Sequence, residues 1–543
     1  MTKPIGIGLS LFVLILAVSA LTAGGAARNP VPLLYETADR CLACHNGLLT
    51  SSGKDVSIGS DWQASIMAHS SRDPYWQASV RRETLMHSKA AQHIQDECAA
   101  CHMPMSRHQS NAQGVKGGVF AHLPVLATPM PLDRLAADGV SCTMCHQIQA
   151  EKLGTREGFT AGFVVDQRTP LDDRAIFGPY DVDVGRTEVM RSAARFIPTR
   201  AVHLRESAFC ASCHTLYTRT LGPEGEVIGT LPEQVPFLEW RHGAYVDTQS
   251  CQSCHMPQLN HPMAITSVLG QPRKDFSRHV FRGGNFFMLY LLNRHRADLK
   301  VTASPQDLSD TAMDTFSFLQ AQAARILIKE TSVENGRMQV LVEVTNLSGH
   351  KLPTAYPSRR MWIHFIARDH KGRVMFESGG LRVDGSITGN DNDADKGQYE
   401  THYTRIDDED QVQIYEPVMA TPDGRITTGL LEAIRFIKDN RLLPQGFDKH
   451  IAGPDIAVQG KAIRDLDFTG GRDLVLYSIP VANDSGPLNL EVRLLFQPIG
   501  FRWAQNLLEH RAEEIDRFVS YYNSNAQVSY LMLARDSRSI KTP

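Results

Sequence analysis

The chain has 543 residues, of which 42% are hydrophobic and 21% are charged. This composition is typical of a globular protein with several domains and excludes a disordered, collagenous or coiled-coil chain. The 56 basic and 59 acidic residues leave a formal charge of −3, so no basic field favours nucleic acid as a partner.

The N-terminus has the pattern of an export signal. Residues 5–23 form an apolar, uncharged run after Lys3, and small residues follow as far as Ala27. This pattern predicts a signal peptide over residues 1–27, with cleavage after Ala20 or Ala27. Because the run is also long enough to span a bilayer, an uncleaved leader would anchor the protein to the inner membrane. Either way we expect a periplasmic or otherwise exported protein, and no later segment predicts another membrane span.

All ten cysteines fall in five C-x-x-C-H motifs, so none is left over to form a disulfide. The motifs are Cys41, Cys44 and His45; Cys98, Cys101 and His102; Cys142, Cys145 and His146; Cys210, Cys213 and His214; and Cys251, Cys254 and His255. The motif attaches c-type haem, because the two thiols bond to one edge of the porphyrin and the histidine ligates the iron. Five copies argue against redox dithiols or zinc sites. The sequence therefore predicts five covalently bound haem c groups.

Each iron also has a distal position, and enough histidines are present to fill all five. The predicted distal ligands are His69, His122, His203, His279 and His350. His350 lies in a Gly/Pro-framed loop of the C-terminal half, from which it would reach across to the haem-bearing half. Met67 competes with His69, and the substitutes among the histidines are His87, His108 and His261. A distal histidine or methionine gives an electron-transfer haem, whereas an open position gives a site for chemistry.

The spacing of the motifs predicts an α+β protein in which the haem-binding residues and the β-structure lie in different parts of the chain. Residues 28–300 form a pentahaem domain of helices and long loops, in which the porphyrins supply much of the apolar interior. A helical linker covers residues 301–324. Residues 325–505 form a β-sandwich, and residues 506–543 form C-terminal helices.

Within the predicted β-sandwich, runs of alternating apolar residues indicate six strands. These begin near Ile326, Met338, Met361, Val374, Leu474 and Leu488. Residues 428–440 are predicted to form an inserted amphipathic helix. Residues 391–402 resemble the start of a calcium-binding loop, but the glycine is one place late and position twelve is His402. A solvated acidic loop is the favoured interpretation.

Several segments resemble bacterial multihaem cytochromes related to cytochrome c-554. The resemblance rests on the C-H-M-P repeats, on the residues around Cys142, on Trp240 before Cys251, and on the segment from His279 to Asn285. The C-terminal half resembles a domain found in some of these proteins, with marks at residues 349–362, 411–416 and 438–444. The resemblance implies electron transfer, although well-known relatives carry four haems.

The sequence therefore predicts a periplasmic electron-transfer protein with redox proteins as its partners. Closely spaced haems pass electrons through short gaps, and haem propionates would favour basic surfaces on those partners. The alternative is a multihaem oxidoreductase that acts on a small nitrogen or sulfur compound at one haem with an open sixth position. No catalytic residue is predicted. An assembly module, in which the haem-free half serves for docking or oligomer formation, is compatible with the first interpretation.

Overall fold

The computed structural model describes residues 1–2, 32–128, 130–481 and 486–540. Apart from its first two residues, the predicted leader therefore lies outside the described part of the chain. Within that part, no helix is both long enough and apolar enough to cross a membrane. The described residues combine helices with several sheets, which is the mixed α+β composition that the sequence predicts.

The N-terminal half is built of short helices and small sheets. Its helices are α1 (Asp39–Leu42), α2 (Ile58–Gln63), α3 (Pro74–Met86), α4 (Ala91–His102), α5 (Pro104–Ala112), α6 (Pro131–Ala137), α7 (Cys142–Cys145), α8 (Val184–Ala194), α9 (Ser207–His214), α10 (Pro236–Arg241), α11 (Cys251–His255) and α12 (Phe286–Arg294). Its strands are β1 (Ala175–Gly178), β2 (Ile197–Arg200), β3 (Leu216–Leu221), β4 (Val227–Gln234), β5 (Met263–Ala264) and β6 (Pro272–Arg273). Pro74 begins α3 because its missing N–H costs nothing in the first turn, and Asp73 caps the same end.

Apolar side chains of the N-terminal half gather in several small clusters. One cluster contains Tyr35 and Met144, and another contains Trp76 and Val80. Cys98 and Cys142 pack against clusters of this kind, and each of the ten cysteines keeps part of its surface accessible. The cysteines are therefore partly exposed and do not form one continuous core.

The C-terminal half is mainly β-structure. Its helices are α13 (Pro305–Gln322), α14 (Asp391–Ala394), α15 (Phe501–Gln505) and α16 (Glu513–Asn525). Its strands are β7 (Ala324–Glu334), β8 (Arg337–Asn346), β9 (Arg360–Arg368), β10 (Val374–Ser378), β11 (Arg405–Ile406), β12 (Ile414–Tyr415), β13 (Pro417–Ala420), β14 (Ile426–Thr427), β15 (Arg435–Asp439), β16 (Arg472–Pro480), β17 (Leu488–Gln497) and β18 (Leu531–Ile540). All six strands predicted from apolar alternation are present.

Two sheets of the C-terminal half share one large apolar core. One sheet has the order β10-β9-β17-β18 with β12 beside β9, and the other has the order β11-β16-β8-β7. On β8, every second residue from Met338 to Val344 is buried, as a half-buried strand requires. Across the two sheets, the rings of Phe365 and Tyr477 stack with centroids 4.2 Å apart.

The prediction of an inserted helix over residues 428–440 is wrong, because β15 pairs there with β13. The segment before β15 instead packs on the N-terminal half. The carbonyls of Leu431 and Ala433 accept hydrogen bonds from Leu221 N–H and the Thr220 hydroxyl. A helix would use these carbonyls for its own hydrogen bonds, so the tertiary hydrogen bonds override a local pattern that suits a helix.

The prediction of C-terminal helices holds only for α16. The later segment forms β18, which pairs antiparallel with β17 from Leu488 to Phe496. An unpaired β17 would present a row of free N–H and C=O groups at the edge of the sheet. Completing this edge is the physical reason that the last described residues are extended.

The acidic segment at residues 391–402 is not simply solvated. Asp393 is buried and pairs with Arg360, the two side chains being 2% and 4% exposed and the Nη1–Oδ1 distance 2.8 Å. Its other carboxylate oxygen accepts the Ile387 N–H at 2.7 Å. The carboxylate therefore fixes the start of β9, which is a structural role.

Replacing Asp393 with alanine should strongly destabilise the C-terminal half. The substitution leaves the Arg360 charge buried without its partner, which costs about 3–5 kcal/mol of unfolding free energy. Urea unfolding followed by tryptophan fluorescence measures this change. Asp395→Ala is the matched control, since Asp395 is exposed in the same loop and should change the free energy by less than about 0.5 kcal/mol. Equal stabilities for the two variants would contradict the assigned role.

Candidate haem-binding site

Each C-x-x-C-H motif lies on a short helical turn. The motifs fall at α1, at the end of α4, at α7, at the end of α9 and at α11. In the first motif, the Cys44 and His45 N–H groups both bond to the Cys41 carbonyl, which continues the turn beyond α1. Residues three apart on a helix share one face, so both thiols of a motif point to the same side. No disulfide links any of the ten cysteines.

The histidines of these motifs are oriented by main-chain carbonyls. In four of the five motifs the ring Nδ1 is hydrogen-bonded to a carbonyl oxygen: His45 to Ile265 at 2.6 Å, His102 to Ser70 at 3.0 Å, His146 to Phe177 at 2.6 Å and His255 to Arg282 at 2.6 Å. The bond fixes the tautomer with the proton on Nδ1 and leaves Nε2 as a donor to a metal. Burial lowers the pKa of His102 and of His255 to about 4, so both rings are neutral at physiological pH.

Two of the motif histidines face a second imidazole. The ring centres of His146 and His279 are 6.3 Å apart with an angle of 18° between planes, and those of His255 and His350 are 6.4 Å apart with an angle of 11°. A metal–imidazole bond of about 2.0–2.1 Å, plus roughly 1.1 Å from nitrogen to ring centre, puts two opposed ligands about 6.3 Å apart. The observed separations match this value.

The second imidazole of each pair is also oriented through Nδ1. His279 is bonded to the Ser277 carbonyl at 3.2 Å and His350 to the Lys351 carbonyl at 2.8 Å. Burial and the neighbouring His146 lower the pKa of His279 to about 3. Both pairs therefore present neutral rings with Nε2 available, and these donor sets fit an iron held between two histidines.

The other three predicted distal histidines have different surroundings. Nδ1 of His122 is 2.6 Å from Asp133 Oδ1, which is the carboxylate–histidine arrangement common behind metal ligands. Nε2 of His203 is 2.8 Å from the Ile148 carbonyl oxygen, so only Nδ1 of this ring remains as a donor to a metal. His69 is fully buried, and neither ring nitrogen has a hydrogen-bond partner among the described residues.

The alternative distal histidines differ in the hydrogen bonds that their ring nitrogens make. Nδ1 of His108 is 2.6 Å from the Tyr35 hydroxyl, and its Nε2 is 3.2 Å from Gln167, so both nitrogens are engaged. His261 is exposed. In the described part of the chain, Nε2 of His87 is buried and unpartnered, as is that of His295. The sequence analysis gave His295 no role, although an orphaned buried imidazole is the kind of group that a missing ligand would satisfy.

The motifs are neighbours in space as well as in sequence. Thiols of different motifs lie close enough to shift each other's pKa values in three places, namely Cys41 with Cys142, Cys101 with Cys213, and Cys210 with Cys251. Cys145 also lies close enough to Cys210 and Cys213 to raise their pKa values. The first site is thus next to the third, the third next to the fourth, and the fourth next to the second and fifth.

Several buried polar groups lie beside the second and fourth motifs. The rings of Tyr75 and Tyr356 meet edge-to-face with centroids 5.8 Å apart. Burial lowers the pKa of Arg359 to about 10, and burial together with the nearby Arg359 guanidinium lowers the pKa of His214. Burial also raises the pKa of the Glu233 carboxyl. Phenols, a carboxyl and a cation are here brought together from both halves of the chain, which no local sequence signal predicts.

A further cluster of His402, Asp465 and Asp473 lies buried in the C-terminal half with ligand atoms within 4.8 Å of one another. The amide groups of Gln413 and Asn440 lie 2.9 and 3.1 Å from His402 Nδ1 and donate to it. The ring proton is therefore on Nε2, 2.9 Å from the Asp465 carboxylate. A metal at Nε2 would have to displace this proton, so the arrangement fits a structural histidine–aspartate pair.

Comparisons with known proteins identify one similar structure. No protein-family model matches the chain, and no curated protein matches it. The crystal structure of a penta-heme cytochrome c552 from Thermochromatium tepidum is similar over 94% of this chain and 100% of that chain, with 14% sequence identity and a TM-score of 0.49. Similarity at this level does not assign the chain to a family.

Proposed function

We propose that the protein is an exported pentahaem c-type cytochrome that transfers electrons between redox partners. The observation that carries the proposal is the opposed pairs His146–His279 and His255–His350, each beside a pair of free, half-buried cysteines. A bound haem would supply an iron that changes between the ferric and ferrous states. The chain would hold it through two thioethers and two imidazoles and tune its potential by burial.

The order of the five sites supports a route for electrons. Contacts between cysteines link the first, third and fourth sites in series and join the second and fifth to the fourth. Electrons entering at any site would therefore reach the others through short gaps. Disulfides between these neighbours are a poorer account, because they would leave four cysteines unpaired and five histidines without a purpose.

Location and partners are part of the same proposal. Covalent haem attachment takes place outside the cytoplasm, which agrees with the export signal that residues 1–27 resemble. The propionates of five haems would add negative charge to a chain that is already at −3, so basic surfaces on the partner proteins are favoured. The resemblance to cytochrome c-554 relatives supports this role, and the two facing sheets fit the predicted β-sandwich beside the haem-bearing half.

Haem counting and low-temperature EPR of the oxidised protein test the proposal together. The pyridine haemochrome assay should give five haems per chain. The EPR spectrum should show low-spin ferric signals for the haems at His146 and His255, since each iron has two imidazole ligands. Fewer than five haems, or high-spin iron at either of these two sites, would overturn the proposal.

A second candidate function is catalysis at the fourth site. The two opposed imidazole pairs do not include His214, whose pKa is lowered by burial and lowered further by the nearby Arg359 guanidinium. A small nitrogen or sulfur oxyanion on an open iron would meet the Arg359 cation there. Oxidised protein would then show about one haem in five as high-spin, with a signal that nitrite, hydroxylamine or sulfite shifts. A wholly low-spin spectrum that these compounds leave unchanged would exclude this function.

A further inference from the structure

The loop between β8 and β9 belongs to the C-terminal half but reaches the fifth attachment site. It carries His350, whose ring faces that of His255. The His350 carbonyl accepts hydrogen bonds from the Asn346 amide and the Ser348 hydroxyl, both at 2.9 Å. The main chain around the histidine is therefore held at the point where the loop leaves β8.

A buried group of four charges lies directly behind this histidine. Glu239 belongs to α10 of the N-terminal half, Lys351 follows His350, and Asp439 and Arg441 lie at the end of β15. The side chains are between 0% and 5% exposed. Two carboxylates balance two cations, so the group is neutral as a whole although it is shielded from water. We call these four residues the loop clamp.

The contacts of the loop clamp join the two halves of the protein. Lys351 Nζ is 2.6 Å from an Asp439 oxygen, and Arg441 binds the Asp439 carboxylate through two nitrogens at 2.8 Å each. Arg441 Nη1 also lies 3.0 Å from Glu239 Oε1. The arrangement runs from the sheet of the C-terminal half to a helix of the haem-bearing half.

Glu239 also binds the loop itself. Its Oε2 accepts the Lys351 N–H at 3.1 Å and the Thr354 hydroxyl at 2.5 Å. Because Lys351 is the next residue after His350, and because its carbonyl orients the His350 ring, these bonds set where the imidazole points. Gly349 lies against Tyr245 and Trp240, where an added Cβ would come within 3.1 Å of the tyrosine ring, so the loop approaches α10 closely.

We propose that the loop clamp is a positioning device by which the haem-free half controls the coordination of the fifth haem. It rests on the proposed function, because it assumes that His350 is the distal ligand opposite His255. The clamp keeps the loop docked on α10 and so keeps His350 on the iron. Loosening the clamp would let the loop move away, lowering the occupancy of the sixth position and changing the potential of that haem.

Two substitutions of similar shape test the clamp in the full, haem-loaded protein. Glu239→Gln removes the charge that binds Arg441 and weakens the acceptor for the loop, and Asp439→Asn removes the partner of Lys351. Both should convert a measurable share of one haem in five to high-spin ferric iron in the EPR spectrum. Both should also shift the potential of one haem in a spectroelectrochemical titration. Excess imidazole should restore the low-spin signal.

The matched control is Glu514→Gln. Arg81 and Glu514 form another ion pair between the halves, with N–O distances of 2.9 and 2.8 Å, but on α3 and α16 and away from the loop. This variant should keep all potentials and the wild-type spin state. If the control changes the fifth haem as much as the clamp variants do, the effect of the clamp variants reflects a general loss of stability, and the inference is overturned.

His350→Ala separates failure of the inference from failure of the proposed function. If the iron becomes high-spin in this variant but stays low-spin with unchanged potential in the clamp variants, the inference is wrong and the assigned ligand stands. If His350→Ala leaves the EPR spectrum unchanged, His350 is not a ligand and both proposals fail at this site. A clamp variant that does not fold is replaced by Thr354→Val, which removes one hydrogen bond to Glu239 and no charge.

Discussion

Chain produced without haem attachment is expected to lose the fold of its N-terminal half while the two facing sheets of the C-terminal half persist. The C-terminal core is large and continuous, with buried side chains such as Met338, Val342, Phe365 and Val492. The clusters that belong to the N-terminal half alone are small, and one has only Phe159, Ala211 and Phe237 as its buried members. Clusters of this size bury too little apolar surface to offset the conformational entropy of the loops around them.

Limited proteolysis measures this difference directly. Chain expressed without the haem attachment machinery should be cleaved in the N-terminal half before α12 and yield a resistant fragment that begins near α12, because the apolar side chains of α12 belong to the large core. Haem-loaded protein should resist cleavage under the same conditions. The double substitution Cys251→Ala with Cys254→Ala is the graded control, because it removes one attachment site and should expose mainly the segment around α11. Resistance of the haem-free N-terminal half would show that its folding does not depend on haem.

The sequence predicts the haem-attachment residues because the information is local. Two thiols and a histidine within five residues must share one helical turn, and the structure places all five motifs on such turns. The strands were likewise predictable, since the alternation on β8 follows from one buried face. Both features depend on residues that are close together in the chain.

The pairing of facing histidines joins residues that are far apart in the chain, so the sequence predicts it only in part. His146 and His279 are more than one hundred residues apart, and His350 approaches His255 from the other half of the chain. The apolar and glycine-rich surroundings of these residues gave a reason to select them as ligands, but they do not indicate which motif histidine each one faces. His203 was selected because it lies seven residues before Cys210 of the fourth motif, and one nitrogen of its ring is hydrogen-bonded to the Ile148 carbonyl. Residues 428–440 illustrate the same limit for secondary structure.

Substitution of His279 is expected to give the largest change at a single haem. The ring lies opposite His146 at the separation of two axial ligands, so His279→Ala should leave that iron with five ligands. The oxidised protein should then show high-spin ferric iron at one haem in five, and added imidazole should reverse it. His279→Met should instead keep six ligands and raise the potential of the same haem, because a thioether favours the ferrous state.

The spectrum of the unsubstituted protein gives an independent check on the same pair. The planes of His146 and His279 differ by 18°, and those of His255 and His350 by 11°. Near-parallel imidazoles give an ordinary rhombic low-spin EPR signal, whereas near-perpendicular planes give a signal with a single large g value. His279→Ala should remove one rhombic component.

The control is His242→Ala, since Nε2 of His242 lies 3.0 Å from the Asp448 carbonyl oxygen and its loss should leave every haem signal in place. A rhombic spectrum that is unchanged in His279→Ala would show that His279 does not ligate the iron, because the alanine variant has no imidazole at this position to keep the sixth ligand in place.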